Sequence, residues 1–283
     1  MTNPKSVIEI EEEIDEDPTI QGYVRSIIRK EGVFASPIDI NIATTHIIET
    51  PLLEWHNFEN RPKKMKITNS GHTVIISAKW FEERPYIDGG PLKDKYVFSQ
   101  IHFHWGVNDM EGSEHTTDGI KHSAELHVVM FKSSYLTQEA ALKEEDGIVI
   151  LVYFIRLQGG ENPVFQYLMD ALPNIQQANT SFKITPIPLS KIVKPFESDF
   201  FCYWGSVVTA ECTHFVLWLI GRTPIGVSYE QVNYLRMLYD SNKQPLKKNC
   251  RKLQPVQNRT IFHVNPSGSK YATLKPFDKE EDL

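Results

Sequence analysis

Between Ser99 and Trp105 the chain reads Ser-Gln-Ile-His-Phe-His-Trp, with polar and apolar residues in strict alternation from Gln100 onward. Successive side chains of a strand point to opposite faces, so Gln100, His102 and His104 share one face while Ile101, Phe103 and Trp105 fill the other. A helix would set the two imidazoles about 200° apart. The alternation therefore calls for a strand with one buried face, and it places two metal-capable nitrogens side by side. Ala124–Phe131 repeats the pattern, with Glu125, His127 and Val129 on one face and Leu126 and Val128 on the other. If the two strands pair, His127 supplies a third nitrogen and a fourth tetrahedral position stays open, as in a catalytic rather than a structural zinc site. Gln100 and Glu125 lie on the same faces and are candidates to accept the other ring N–H of the ligating histidines. Two readings stand open at this point. The histidines ligate one zinc ion, or they are hydrogen-bonded histidines beside a Glu125 that is a plain buried carboxylate or the partner of a lysine.

The surrounding sequence is a succession of short β-prone runs broken by Gly, Pro, Asn and Asp, the pattern of an antiparallel sheet protein. Strands are expected over Thr73–Trp80, Tyr96–Trp105, Ala124–Phe131, Ile148–Ile155 and Phe215–Ile220; the last two are apolar throughout and should be central, covered on both faces. Helices are expected over Asn162–Leu172, opened by Asn162-Pro163, and over Ser228–Tyr239, capped by Ser228. The 283 residues are compatible with one large β domain. Residues 31–270 are expected to form it, between an acidic tail (1–30) and a polar C-terminal tail (271–283). In the first tail Glu9, Glu11, Glu12, Glu13, Asp15, Glu16 and Asp17 crowd together. Their mutual repulsion predicts a solvated, flexible segment, the alternative being a docking site for a basic protein partner.

Charge and hydropathy exclude several functions. A net charge of −6 with no basic stripe interleaved with aromatics argues against nucleic acid as a partner. No apolar run approaches the length of a membrane span; the strongest, Phe215–Ile220, stops at Gly221-Arg222. The N-terminus is acidic and lacks the apolar run of a secretory signal. Cys202, Cys212 and Cys250 leave an odd thiol under any pairing, which suits a reducing compartment, and a cytoplasmic location is expected.

The motifs resemble those of the alpha-class carbonic anhydrases. Gln100–Gly106 is similar to that family's first zinc strand, Gly112-Ser113-Glu114-His115-Thr116 to the segment after it, and Ala124–His127 to the second zinc strand. Weaker similarities run from about residue 33 to 262, among them Ser36–Ile40, Asn69–His72, Tyr86–Leu92, Gly205-Ser206, Pro224–Ser228, Gln254-Pro255 and Asn258-Arg259. The resemblance implies a mainly β (α+β) fold, a large twisted and mostly antiparallel central sheet with peripheral helices and zinc at the bottom of a conical cleft. It also implies a zinc-dependent lyase in which a hydroxide on the metal attacks carbon dioxide, with bicarbonate, water and a proton as the other participants and sulfonamide-type inhibitors as ligands. By position, His72 resembles the proton shuttle, Glu114 the acidic residue of the hydroxide network, and Val129, Ile150, Val207 and Trp218 the apolar wall that receives carbon dioxide.

The departures from the pattern are as informative. Val208 stands where the family has a threonine that orients the hydroxide and donates to the residue matching Glu114. Valine can do neither, so Glu114 is expected to lose a partner. Thr209 follows directly and is a candidate substitute, although a one-residue shift on a strand reverses the face. Ala210-Glu211 replaces paired prolines, Ala35 a glutamine, and Ile75 a polar residue of the cleft. Two functions are expected from this balance: reversible hydration of carbon dioxide at reduced efficiency, or a carbonic-anhydrase-related zinc protein with little hydratase activity that acts as a protein-binding module.

Overall fold

The computed structural model describes residues 35–208 and 213–265, with Val208 and Thr213 described by backbone alone. Both expected tails, and the candidate residue Thr209 with Ala210 and Glu211, lie outside these residues. In chain order the strands are β1 (Asp39–Ile40), β2 (His46–Ile48), β3 (Leu53–His56), β4 (Lys64–Asn69), β5 (Val74–Lys79), β6 (Tyr86–Gly89), β7 (Tyr96–Trp105), β8 (Thr116–Thr117), β9 (Ala124–Lys132), β10 (Ile148–Leu157), β11 (Thr180–Ile184), β12 (Phe200–Val208), β13 (Thr213–Val227) and β14 (Phe262–Val264). Twelve of them form one sheet in the order β11-β4-β5-β7-β9-β10-β13-β12-β14-β2, with β3 and β6 attached beside β7. The β10–β13 and β14–β2 pairs are parallel and the other ladders of this sheet are antiparallel. This is the mainly β architecture with a large, mostly antiparallel central sheet that the sequence predicts.

The apolar run of β10 shows how the sheet is buried. Val149, Leu151, Tyr153 and Ile155 belong to one core cluster, and Ile148, Ile150, Val152 and Phe154 to the other. Alternate residues of one strand thus feed two cores, which is why this run carries no polar alternation. Strand β13 extends well past Phe215–Ile220, because after an irregularity at residues 222–224 it resumes pairing with Ile155, Arg156 and Leu157 of β10. The larger core takes Ile101, Phe103 and Trp105 of β7 together with Leu126 and Val128 of β9.

Helices close that side of the sheet. The helix Pro163–Met169 starts where the Asn162 side chain accepts from the backbone N–H groups of Val164 and Phe165, and it presents Phe165, Leu168 and Met169 to the larger core. It ends earlier than the expected Leu172, which instead opens a short 3-10 turn over Leu172–Ile175. The helix Tyr229–Leu235 begins with a reciprocal capping box between Ser228 and Gln231. It too is shorter than the expected span, since Tyr239 leaves the helical path to form a bridge with Pro245. With these helices packed on the face of Phe103, the opposite face over β5, β7 and β9 is where a cleft can open.

Candidate metal centre

Register brings the three histidines together. His102 of β7 lies directly opposite His127 of β9, and His104 lies opposite Glu125. The ring centroids are 5.1 Å apart for His102–His104, 4.9 Å for His102–His127 and 4.6 Å for His104–His127. Their ligand nitrogens form one cluster able to hold a metal. Nδ1 of His127 and Nε2 of His102 face each other at 3.1 Å, close to the roughly 3.3 Å that separates two nitrogens held tetrahedrally at zinc–nitrogen bond lengths.

The outer nitrogens fix the ring orientations. His127 donates from Nε2 to Glu125 Oε1 at 2.6 Å. His104 Nδ1 is 3.4 Å from the Asn249 carbonyl and 3.3 Å from Glu114 Oε1, which leaves its Nε2 toward the other two rings. His102 Nδ1 and Gln100 Oε1 are both buried without a hydrogen-bond partner. They lie two residues apart on one face of β7. The donor set fits zinc: three imidazoles with their inner lone pairs converging, and outer acceptors beside His104 and His127.

Burial pushes His104 down to about 4 against the opposing pull of Glu114, and it drives His102 well below the usual imidazole range, with His127 and His104 adding to the effect. Both rings are therefore neutral near pH 7, the form that binds a metal. Burial alone would raise Glu125, but His115 and His127 outweigh it and hold the carboxyl well below its ordinary value. That carboxylate also accepts from the backbone N–H and Nδ1 of His115, each at 2.8 Å. His115 continues through Nε2 to the Tyr203 hydroxyl at 2.7 Å, and Tyr203 lies 2.9 Å from Ser36 Oγ.

The fate of Glu114 corrects the expectation that it lacks a partner. The carboxyl is completely buried, and Arg251 donates to it from its backbone N–H at 3.0 Å, from Nε at 2.9 Å and from Nη2 at 2.6 Å. Burial would raise this carboxyl, yet His104 and the Arg251 guanidinium hold it below the carboxylate range. Since His104 is itself neutral near pH 7, the guanidinium is the charge that matters there. A forked pair of this kind satisfies both oxygens without any help from position 208.

A cavity of about 450 Å³ opens above the cluster, lined by His72, Thr73, Ile75, Gln100, His102 and His104 together with Leu246, Lys248 and Asn249. His72 is exposed on the turn between β4 and β5, with its carbonyl accepting from the Asn249 side-chain amide at 3.0 Å. Ile75 pairs with His102 across the β5–β7 ladder, inside the cleft as expected. Val129, Ile150 and Trp218 are buried in one apolar cluster, and Val207 packs against it. The Trp218 ring lies 5.2 Å from that of His127. The backbone of Val208 pairs with Thr213 at the end of β12.

Sequence reasoning missed Asn249 and Arg251. Asn249 ties the end of β7 to the cleft, its side chain accepting from Trp105 N at 2.8 Å and donating to the Phe103 carbonyl at 2.9 Å. Both residues sit in Lys247–Lys252, a basic loop with no hydrophobic period, where no local signal distinguishes them from solvated residues.

Comparison with known proteins decides the family. The family model of eukaryotic-type carbonic anhydrases matches residues 26–265. The chain belongs to the carbonic anhydrase family. It is 35% identical over 236 residues to carbonic anhydrase 3 of Homo sapiens, covering 82% of this chain and 89% of that protein. It is 36% identical over 236 residues to carbonic anhydrase 3 of Bos taurus, with the same coverage. A putative carbonic anhydrase 3 of Caenorhabditis elegans is 31% identical over 234 residues, covering 82% of this chain and 91% of the relative. Carbonic anhydrases are zinc enzymes that hydrate carbon dioxide, and the histidine cluster of this member is able to hold a metal.

Two outcomes follow from the electrostatics of the centre. Arg251→Met leaves the Glu114 charge buried and unpaired and should destabilise the protein by about 3–5 kcal/mol in urea unfolding, with much of the loss recovered in Arg251→Met/Glu114→Gln. An unchanged midpoint for the single variant would show that water reaches Glu114. In the metal-free protein His104 accepts its proton near pH 4, whereas an unfolded imidazole does so near 6.5. Between these values the unfolded chain binds the extra proton, so stability is complete above the upper value and declines as pH falls toward the lower one. The urea midpoint of the metal-free protein should drop between about pH 7 and pH 5, while imidazole NMR signals of His102 and His104 stay neutral. Titration of both rings near their ordinary value would contradict the buried, preorganised cluster.

Proposed function

We propose that this chain is a zinc-dependent carbonic anhydrase that interconverts carbon dioxide and bicarbonate, at an efficiency reduced by valine at position 208. The observation that carries the reading is the three-imidazole cluster with its inner nitrogens convergent and acceptors beside the outer nitrogens of His104 and His127. His102, His104 and His127 would hold the ion, with Gln100, Asn249 and Glu125 orienting their rings. Zinc bound there supplies a Lewis acid that lowers the pKa of a bound water, an effect for which carbonic anhydrase is itself the reference case.

The remaining steps belong to the side chains of this chain. Val129, Ile150, Val207 and Trp218 form an apolar wall beside His127; it receives carbon dioxide, which has no hydrogen to donate, and keeps water from competing for that space. Val208, the last residue of β12, is apolar where the family pattern has a hydroxyl. Glu114, held by Arg251, keeps a negative charge beside His104 and would accept from a hydroxyl at position 208 or 209. His72, exposed at the cleft mouth, takes the released proton to buffer. Sulfonamide-type inhibitors are the expected ligands of the same cleft.

The proposed catalytic unit spans residues 31–270, near the stretch matched by the family. A cytoplasmic location is supported by the free thiols of Cys202 and Cys250. Among the described residues no helix is long and apolar enough to cross a membrane. Val208 also favours a second reading, a zinc-binding relative with little hydratase activity that works as a protein-binding module. Activity measurement separates the two.

Metal analysis after dialysis should give one equivalent of zinc for the wild type and far less for His127→Ala; equal zinc in both proteins ends the assignment. Val208→Thr should raise catalytic efficiency at unchanged zinc content. The exchange of a methyl for a hydroxyl nearly conserves volume. The new group could donate to Glu114 and accept from the attacking oxygen, worth about 1–3 kcal/mol when a charged group takes part. That corresponds to a gain on the order of ten- to a hundredfold in stopped-flow hydration of carbon dioxide. An unchanged or lower rate would show that Thr209 already fills the role or that Ile75 blocks the cleft.

A further inference from the structure

The sheet face that carries the histidines does not end at the cleft. Cross-strand partners share a face, and the register runs from His102 to Ile75 on β5 and from Ile75 to Thr68 on β4. Two residues further along the same faces, Ser77 pairs with Lys66 and Lys66 with Lys183 of β11; two residues beyond these, Lys79 pairs with Lys64. Four lysines thus stand on one face in two directly opposed pairs, and like charges placed opposite one another destabilise a sheet. Lys63 joins them, its ammonium 4.2 Å from the centre of the Phe81 ring. All five are exposed, and among the described residues no carboxylate lies within ion-pair distance of any of them. They border a cavity of about 410 Å³; Met65, Ala78 and Ile184, which border it too, alternate with the lysines along their strands and belong to the larger core on the other face.

This concentration of unpaired positive charge occurs in a chain whose net charge is −6. A complementary partner is present in the same polypeptide. Residues 8–17, which lie outside the described residues, read Ile-Glu-Ile-Glu-Glu-Glu-Ile-Asp-Glu-Asp, seven carboxylates and no cation, with Ile8, Ile10 and Ile14 interleaved. We propose that this acidic segment docks on the lysine face of β4, β5 and β11, its carboxylates against Lys64, Lys66, Lys79 and Lys183.

The tether permits it. The described chain enters at Ala35, and the next residue, Ser36, is fixed to β12 by Ser206 N at 3.2 Å. From β12 to β4 is six strand spacings, about 29 Å. The eighteen residue steps from Asp17 to Ala35 can span at most about 60 Å, about twice that distance, and a tether long enough to reach raises the local concentration of the segment it carries. Docking there sets the carboxylates beside the cleft, because Ser77 of the cavity is two residues from Ile75 in the cleft wall.

Zero-length carbodiimide crosslinking of the full chain, read by mass spectrometry, tests this without reference to zinc or turnover. An equal mixture of unlabelled and ¹⁵N-labelled protein separates links within a chain from links between chains. Expected are links within one chain from the carboxylates of residues 9–17 to Lys64, Lys66, Lys79 and Lys183, weakened by salt as screening predicts. Lys66→Glu/Lys183→Glu, checked for retained zinc binding, should cut the yield at the retained Lys64 and Lys79 about tenfold. Links spread evenly over lysines elsewhere, such as Lys121 and Lys143, would overturn the proposal, as would mixed-label links alone or no links.

Discussion

A single buried carboxylate decides how the metal-capable rings are aimed. Glu125 has no exposure, and an isolated charge there would cost several kcal/mol. It is tolerated because three N–H groups converge on it, two from His115 and one from His127. The same bonds remove the tautomeric freedom of His127. Its Nε2 must carry the proton, so Nδ1 presents a lone pair toward His102 and His104. Glu125 can do this only because it stands two residues before His127 on one strand face. The buried relay onward through His115, Tyr203 and Ser36 then keeps the Glu125 side from shifting.

The division of the sheet into two unlike faces turns this local geometry into a site. One face of β7 and β9 is filled by Phe103, Trp105, Leu126 and Val128 and closed by helices. The other carries the histidines and is walled on one side by the smaller apolar cluster around Val129 and Trp218. On its other side, across β5 and β4, that cluster gives way to polar and then basic residues. The cleft thus lies at the boundary between an apolar wall and a charged edge. An apolar substrate with an anionic product suits such a boundary, since carbon dioxide prefers the wall and bicarbonate the wet, positive side.

How much of this was legible in the sequence depends on whether a residue sits in a periodic element. Alternation located β7 residue for residue, set the start of β9 and β10, and put His102, His104 and His127 on one surface. Ends of elements were less visible, because β13 is prolonged by its parallel partner and the helix after Ser228 is cut short by the Tyr239–Pro245 bridge. Asn249 and Arg251 left no trace at all. Their role comes from a loop folded back on β7 from about 145 residues away in sequence, and loop residues carry neither period nor face. The expectation that Glu114 goes without a partner failed for that reason. It counted the neighbours visible at position 208 and could not see the guanidinium that the loop delivers.

That failure also bears on what the valine at 208 means. Had Glu114 depended on a hydroxyl at that position, its loss would have left a buried charge uncompensated, and the penalty would have fallen on folding as well as on catalysis. With Arg251 forked onto both carboxyl oxygens, the fold is insulated from the substitution. A valine at 208 can then persist without leaving Glu114 uncompensated, and under the proposed function its effect falls on how an attacking oxygen is oriented. Ring geometry for a metal is built by strand register and buried hydrogen bonds, which many residues share. Under the proposed function, orientation of the attacking atom falls to a single side chain at position 208 or 209. The two properties are therefore separable, and a member of this family can retain the first while the second declines.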